Sequence, residues 1–187
     1  MASRRDALQL LGAVAAGLAF PTDALWAEAA ARSGHPDPLL ARLCDLVIPA
    51  TDTPGAVAAG VPAFVAVATL HGLKGATPAL HQAFDASLDA RAGGAFMALP
   101  HDRAVALLRE VDEASFARGQ TPPVQPDAAV RYWPTLKALI LIGYYSSEIG
   151  ASQELVYDLV PGSFDPDVPL STQPRAFSSD WTGVKYA

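Results

Sequence analysis

From Leu136 to Tyr145 the chain reads LKALILIGYY, and Leu136, Ala138, Leu139, Ile140, Leu141, Ile142, Tyr144 and Tyr145 leave almost no polar face apart from Lys137. A helix that is apolar all round must be covered all round. The rest of the protein therefore has to be built around this segment, either as the outer helices of a bundle or, on one side, as another subunit. Pro134 suits the first turn of such a helix, where a missing N–H costs nothing.

The remaining helices are expected between prolines and glycines. Asp37-Pro38 combines an N-cap with a proline at the first helical position, and Leu39, Leu40, Leu43, Leu46 and Val47 follow at helical spacing until Pro49. Residues 50–56 (ATDTPGA) carry turn chemistry, because Pro54 presets φ and Gly55 accepts unusual backbone geometry. Val61, Phe64, Val65 and Ala68 form the next apolar face, which ends near Gly72. Thr77-Pro78 repeats the cap-plus-proline start, and Leu80, Phe84 and Leu88 recur every four residues before Gly93-Gly94. Pro100-His101-Asp102 opens an amphipathic surface helix with Ala104, Leu107, Leu108, Val111 and Ala114 on one side. Strand alternation and internal repeats are absent. The fold class expected is all-α, a small bundle of about five or six helices. From residue 158 prolines forbid a helix, yet Phe164, Phe177, Trp181 and Tyr186 are costly to leave in water. An extended C-terminal arm over 158–187 is expected, docked on its own bundle or on a partner.

The N-terminus carries an address. Adjacent Arg4 and Arg5 precede an uncharged run of 14 residues, Ala7 to Phe20, too short to span a hydrocarbon core of roughly 30 Å. Ser3, Arg4, Arg5 and Leu8 fit the twin-arginine export pattern, whereas Ala7 and Gln9 depart from it. Ala27-Glu28-Ala29 supplies small residues for a cut before Ala30, so 1–29 is assigned to a signal segment and 30–157 to the helical domain. A general secretory signal, a retained amphipathic anchor and a purely structural N-terminal helix are the alternatives. The expected location is the periplasm, with no permanent membrane span.

Chemistry-bearing patterns are sparse. The net charge of −6 disfavours nucleic acid as a partner, and the single cysteine rules out an intramolecular disulfide or a cysteine-based metal site within this chain. Cys44 falls on an apolar helical stripe and reads as core. Glycine fingerprints for dinucleotides are missing, since neither Gly93-Gly94 nor Gly72-Leu73-Lys74-Gly75 has the spacing. His35, His71, His81 and His101 are scattered, and Asp85 and Asp89 form a one-turn carboxylate pair of the kind usually solvated. No catalytic, cofactor-binding or metal-binding residues are assigned. With 51% hydrophobic and 17% charged residues, the chain is expected to keep apolar surface for a partner. The candidates for that contact are Tyr144, Tyr145, Ser146, Ser147, Glu148, Phe164, Phe177 and Trp181, with Glu148 equally able to bond to local backbone or hydroxyls.

Three stretches resemble the gluconate 2-dehydrogenase subunit 3 family: Ser3-Arg4-Arg5; residues 43–56 (LCDLVIPATDTPGA) with Ala59-Gly60-Val61; and residues 143–150 (GYYSSEIG) followed by Val160-Pro161-Gly162. The resemblance implies a non-catalytic small subunit that stabilises an FAD-binding large subunit of the glucose-methanol-choline type and carries it through twin-arginine export. It also implies, in many such systems, a cytochrome c as electron acceptor. FAD would belong to the large subunit and haem c to the cytochrome, with no cofactor in this chain. A free-standing periplasmic binding or scaffold protein is the alternative, with an autonomous enzyme behind it.

Overall fold

The structure, a computed structural model, describes residues 22–32, 37–117, 126–158, 167, 169 and 175–178. Among these residues there are six α-helices: α1 Thr22–Arg32, α2 Pro38–Val47, α3 Val61–Leu70, α4 Pro78–Ala92, α5 His101–Phe116 and α6 Ala128–Ser146. The fold is all-α, a small bundle in which α6 packs against α3, α4 and α5, while α1 and α2 lie on α3. Two of the expected starts are capped as their sequences dictate. The Asp37 carboxylate accepts from the Leu39 N–H at 2.9 Å, and the Thr77 hydroxyl accepts from the Leu80 N–H at 3.2 Å.

The apolar segment is covered on all but one side. Tyr132, Trp133, Leu136, Leu139, Ile140 and Tyr144 of α6 are buried, which leaves Leu141 and Tyr145 as the exposed line of this helix's apolar stretch. The deepest helix is nevertheless α3, where eight of ten residues are buried. Phe84 of α4 stacks on Trp133 at 6.1 Å and meets Tyr132 edge-on at 5.8 Å, joining α4 to α6. On α5, Ala104, Leu108 and Val111 face the core. Two expected core positions differ: Leu80 and Ala114 are exposed, each lying one turn beyond the buried run of its helix, Phe84 and Leu88 on α4 and Ala104 to Val111 on α5.

Pro134 does not open α6. It lies inside a 19-residue helix that begins at Ala128, behind an Asp127 cap that accepts from the Val130 N–H at 3.0 Å. Proline removes the amide that would have bonded to the carbonyl four residues earlier, that of Val130. That carbonyl has another partner, since the Ser115 hydroxyl of α5 lies 2.8 Å from it and 2.6 Å from the Val111 carbonyl. A hydroxyl proton from the neighbouring helix, shared between the two carbonyls, thus stands in for the missing amide.

Two further features depart from expectation. Val156–Tyr157 and Phe177–Ser178 form a short parallel pair, β1 and β2, with Val156 opposite Phe177. The Arg175 guanidinium donates to the Gln153 carbonyl at 2.8 Å, so this part of the C-terminal segment rests on its own domain. The second departure is α1, which spans the 29/30 boundary and buries Leu25 and Ala29, each 1% exposed, against the core. No helix among the described residues is long and apolar enough to cross a membrane.

Candidate docking site at one end of the bundle

The two most distinctive stretches of the sequence, residues 48–56 and 143–150, meet in space. After α2 the chain makes a closed turn in which the Ala56 amide donates to the Ile48 carbonyl at 3.0 Å and the Thr51 amide to the Thr53 carbonyl at 3.0 Å. Gly55 sits where a Cβ would lie 2.6 Å from the Ala50 nitrogen and 2.7 Å from the Ile48 oxygen. Only glycine fits against that backbone.

The C-terminal end of α6 is locked to this turn. Tyr144, 1% exposed, donates its hydroxyl proton to the Pro54 carbonyl at 2.9 Å. Burial pushes the Tyr144 hydroxyl above its ordinary ionisation range, outweighing the opposing Thr53 contact, and Glu154 nearby acts in the same direction as burial. The group therefore remains a protonated donor at neutral pH. The Ser147 hydroxyl donates to the Tyr144 carbonyl at 2.6 Å and accepts from the Gly150 amide at 3.0 Å, which ends the helix and starts the wide turn Gly150–Glu154. A Cβ on Gly150 would stand 2.0 Å from the Tyr144 carbonyl oxygen. Thr53 then donates to the Glu154 carboxylate across 101 residues of sequence. One turn deeper, Gly143 lets α6 approach α3, where a Cβ would meet Phe64 at 2.8 Å.

The outer wall of this end is α1. Trp26 packs on Phe64 with ring centroids 5.0 Å apart, and its indole N–H donates to the Ser146 hydroxyl at 3.0 Å. Asp23, Trp26, Ala58, Ser146, Glu148 and Ile149 line an open groove of about 480 Å³ beside it.

The expected contact residues divide into three groups. Tyr144 and Ser147 are buried and hold their own domain together, so they are unavailable to a partner. Tyr145, Glu148 and Phe177 are exposed, and Ser146 is exposed but bonded to Trp26. Phe164 and Trp181, like Ser3, Arg4, Arg5 and Leu8, lie outside the described residues. Several contributors escaped the sequence reading. Thr53 and Glu154 had no local signal because their partners lie about a hundred residues away, and Trp26 was assigned to the leader. Leu141 belongs to the apolar segment that either the bundle or another subunit was expected to cover, and with Lys137 and Tyr145 it forms an i, i+4, i+8 line on α6. The Lys137 ammonium lies 5.3 Å from the centre of the Phe116 ring and bonds to Asp112 at 2.6 Å, extending the line onto α5.

The scattered polar candidates do not converge, and neither ring nitrogen of His81 makes a hydrogen bond. His71 contacts Glu28 of α1 at 2.6 Å, and His81 lies 3.5 Å from Asp37. His101 is exposed at the start of α5, and His35 lies outside the described residues. Asp89 accepts from the Phe96 amide at 2.7 Å, while burial and the neighbouring Asp89 push the Asp85 carboxyl up. Cys44 is fully buried, and burial with Asp45 beside it pushes the thiol up to about 12. No group of three or more histidine, cysteine, aspartate or glutamate residues suited to a metal occurs among the described residues. The polar groups at the end of the bundle are spent on holding backbone, and what the surface offers outward is aromatic and aliphatic area with a carboxylate beside it.

A family model described as gluconate 2-dehydrogenase subunit 3 matches residues 35–162. The match covers well over half of the chain and both halves of the locked junction, and the chain belongs to that family. Membership implies partnership with a dehydrogenase large subunit. No curated protein and no solved structure matches the chain.

Proposed function

We propose that this protein is the non-catalytic small subunit of a periplasmic, FAD-dependent sugar or glycoside dehydrogenase complex. In this reading it stabilises a glucose-methanol-choline type large subunit, which holds the FAD, and carries it through twin-arginine export on the Arg4-Arg5 signal; a cytochrome c takes the electrons. The family match over residues 35–162 carries the proposal. Physical reasons agree with it. A flavoprotein folds around its cofactor before export, and a folded cargo needs a route that accepts folded chains, which a helical subunit lacking a cofactor would not need for itself.

The docking face in this reading is the exposed line Phe116, Leu141 and Tyr145, joined by Phe177. These side chains are between 37% and 57% exposed, and on α6 Leu141 and Tyr145 lie one turn apart, so their apolar area is contiguous there. Replacing Arg4 and Arg5 together with Lys is expected to hold both subunits in the cytoplasm, since the export receptor reads paired guanidinium groups. Replacing Leu141 with Asp is expected to weaken co-purification of the large subunit at least about tenfold without loss of helicity. Normal periplasmic dehydrogenase activity in the double Lys variant would defeat the carrier role, and unchanged co-purification of the Leu141→Asp protein would move the docking face elsewhere.

A further inference from the structure

The small residues Ala27-Glu28-Ala29 that invite a signal-peptidase cut are inside α1, and α1 is part of the folded domain. Leu25 and Ala29 are each 1% exposed. Trp26 is clamped at both ends, by Phe64 under its ring and by the Ser146 hydroxyl on its indole N–H. Gly60, at φ +76°, brings the backbone ahead of α3 under the same ring, with 3.4 Å between its Cβ direction and the indole. Glu28, the middle residue of the small-residue triplet, contacts His71 at the far end of α3 at 2.6 Å. These contacts run along the whole of α3, from Gly60 to His71.

We propose that α1 is a permanent element of the exported protein and that any processing of the leader falls before Thr22, not between Ala29 and Ala30. The inference rests on the export reading above. A peptidase must draw the chain around its target bond out of the helix, and cargo on the twin-arginine route reaches the peptidase already folded. Cutting at Ala29–Ala30 would require Leu25, Trp26 and Ala29 to leave the core together, and would then strip the Trp26 ring from Phe64, which is 0% exposed with α1 in place. The family match begins at residue 35, and α1 lies ahead of it. Trp26 is its anchor, positioning the helix through packing and one hydrogen bond.

Two measurements test this. Intact mass and N-terminal sequencing of the protein purified with its large subunit from the periplasm are expected to show a chain that begins at or before Thr22. A chain that begins at Ala30 or later overturns the proposal and identifies the vacated face of α3 as a surface the partner covers. Hydrogen exchange on the purified full-length chain is the second measurement, and it decides the point even if the protein is found only in the cytoplasm, where the export reading fails by itself. Amides of α1 are expected to be protected at least about 100-fold over an unfolded peptide, and Trp26→Ala to lower that protection about tenfold or more while α4 keeps its own. Unfolded-chain rates in α1, or protection unmoved by Trp26→Ala, overturn the role assigned to this helix.

Discussion

The locked end of the bundle and the α4–α5 side are held by different means. At the locked end, residues 48–56 and 143–154 are joined by two hydrogen bonds, from Tyr144 to the Pro54 carbonyl and from Thr53 to Glu154, while Ser147 closes the end of α6 and glycines stand where no side chain fits. Between Pro78 and Phe116 the helices are held by stacked rings and a stripe of aliphatic groups, with ion pairs at the margins. The first region depends on the identity of particular residues. The second depends on a pattern that many sequences could satisfy, and it is sensitive chiefly to the loss of volume.

Substitutions sharpen this contrast, and the largest effect is expected on the patterned side. Phe84→Ala removes a buried ring from between Tyr132 and Trp133 and should cost about 4 kcal/mol, measured by denaturant unfolding. A cost below about 1 kcal/mol would mean that the stack contributes little. At the locked end the addition of one methyl group should suffice. Gly150→Ala places a Cβ against the Tyr144 carbonyl, and a loss of about 3 kcal/mol is expected because the obstacle is backbone and cannot rotate away. Full stability in that variant would break the distinction between the two regions.

Acid should act on the patterned side first. Burial pushes the Asp127 carboxyl up, but hydrogen bonds from Arg91 and the Val130 amide, with the Arg91 charge, hold it below its ordinary value of 3.8; Asp112 is likewise held below 3.8, its burial outweighed by Lys137 and Trp133. A carboxylate held lower in the folded state than in the unfolded chain adds stability that is present above 3.8 and lost as pH falls through the folded value. Asp85, pushed up by burial and by Asp89, has the opposite sign and offsets part of the loss. Both paired carboxylates are about a third or more exposed, so the drop in Tm on acidification from pH 5 to below 3 should be only about 2–4 °C. Replacing Asp112 and Asp127 together with Asn should flatten that part of the curve. The smallest effect is expected at Gly94, where a Cβ meets nothing within 4 Å; Gly94→Ala should change stability by no more than about 0.5 kcal/mol. A loss as large as that at Gly150 would show that glycine content, rather than close approach, sets the sensitivity of this chain.

Much of the architecture was readable along the chain. Asp37-Pro38, Thr77-Pro78 and Gly93 mark helix ends through chemistry within three residues, and the caps form as those residues dictate. The apolar segment from Leu136 was expected to be covered, and the bundle covers it except along Leu141 and Tyr145. The site was less readable. Tyr144 and Tyr145 are neighbours of the same chemical type, yet one hydrogen-bonds inside its own domain and the other faces solvent. A helix turns about 100° per residue, so adjacent side chains diverge, and which of them faces the core depends on where α3 lies.

The helix ends, the all-α class and the family therefore follow from short-range chemistry and from motifs a few residues long, because caps, turns and apolar periodicity act between near neighbours. Packing alone settled the rest. Pro134 is tolerated inside α6 because Ser115 arrives from α5, the Thr53–Glu154 contact exists because two distant turns are brought together, and the stretch around Trp26 became a core helix because α3 has an apolar face to cover. Each of these depends on a group far away in sequence, and a donor, a carboxylate or an apolar surface that arrives only on folding leaves no mark in the residues beside it.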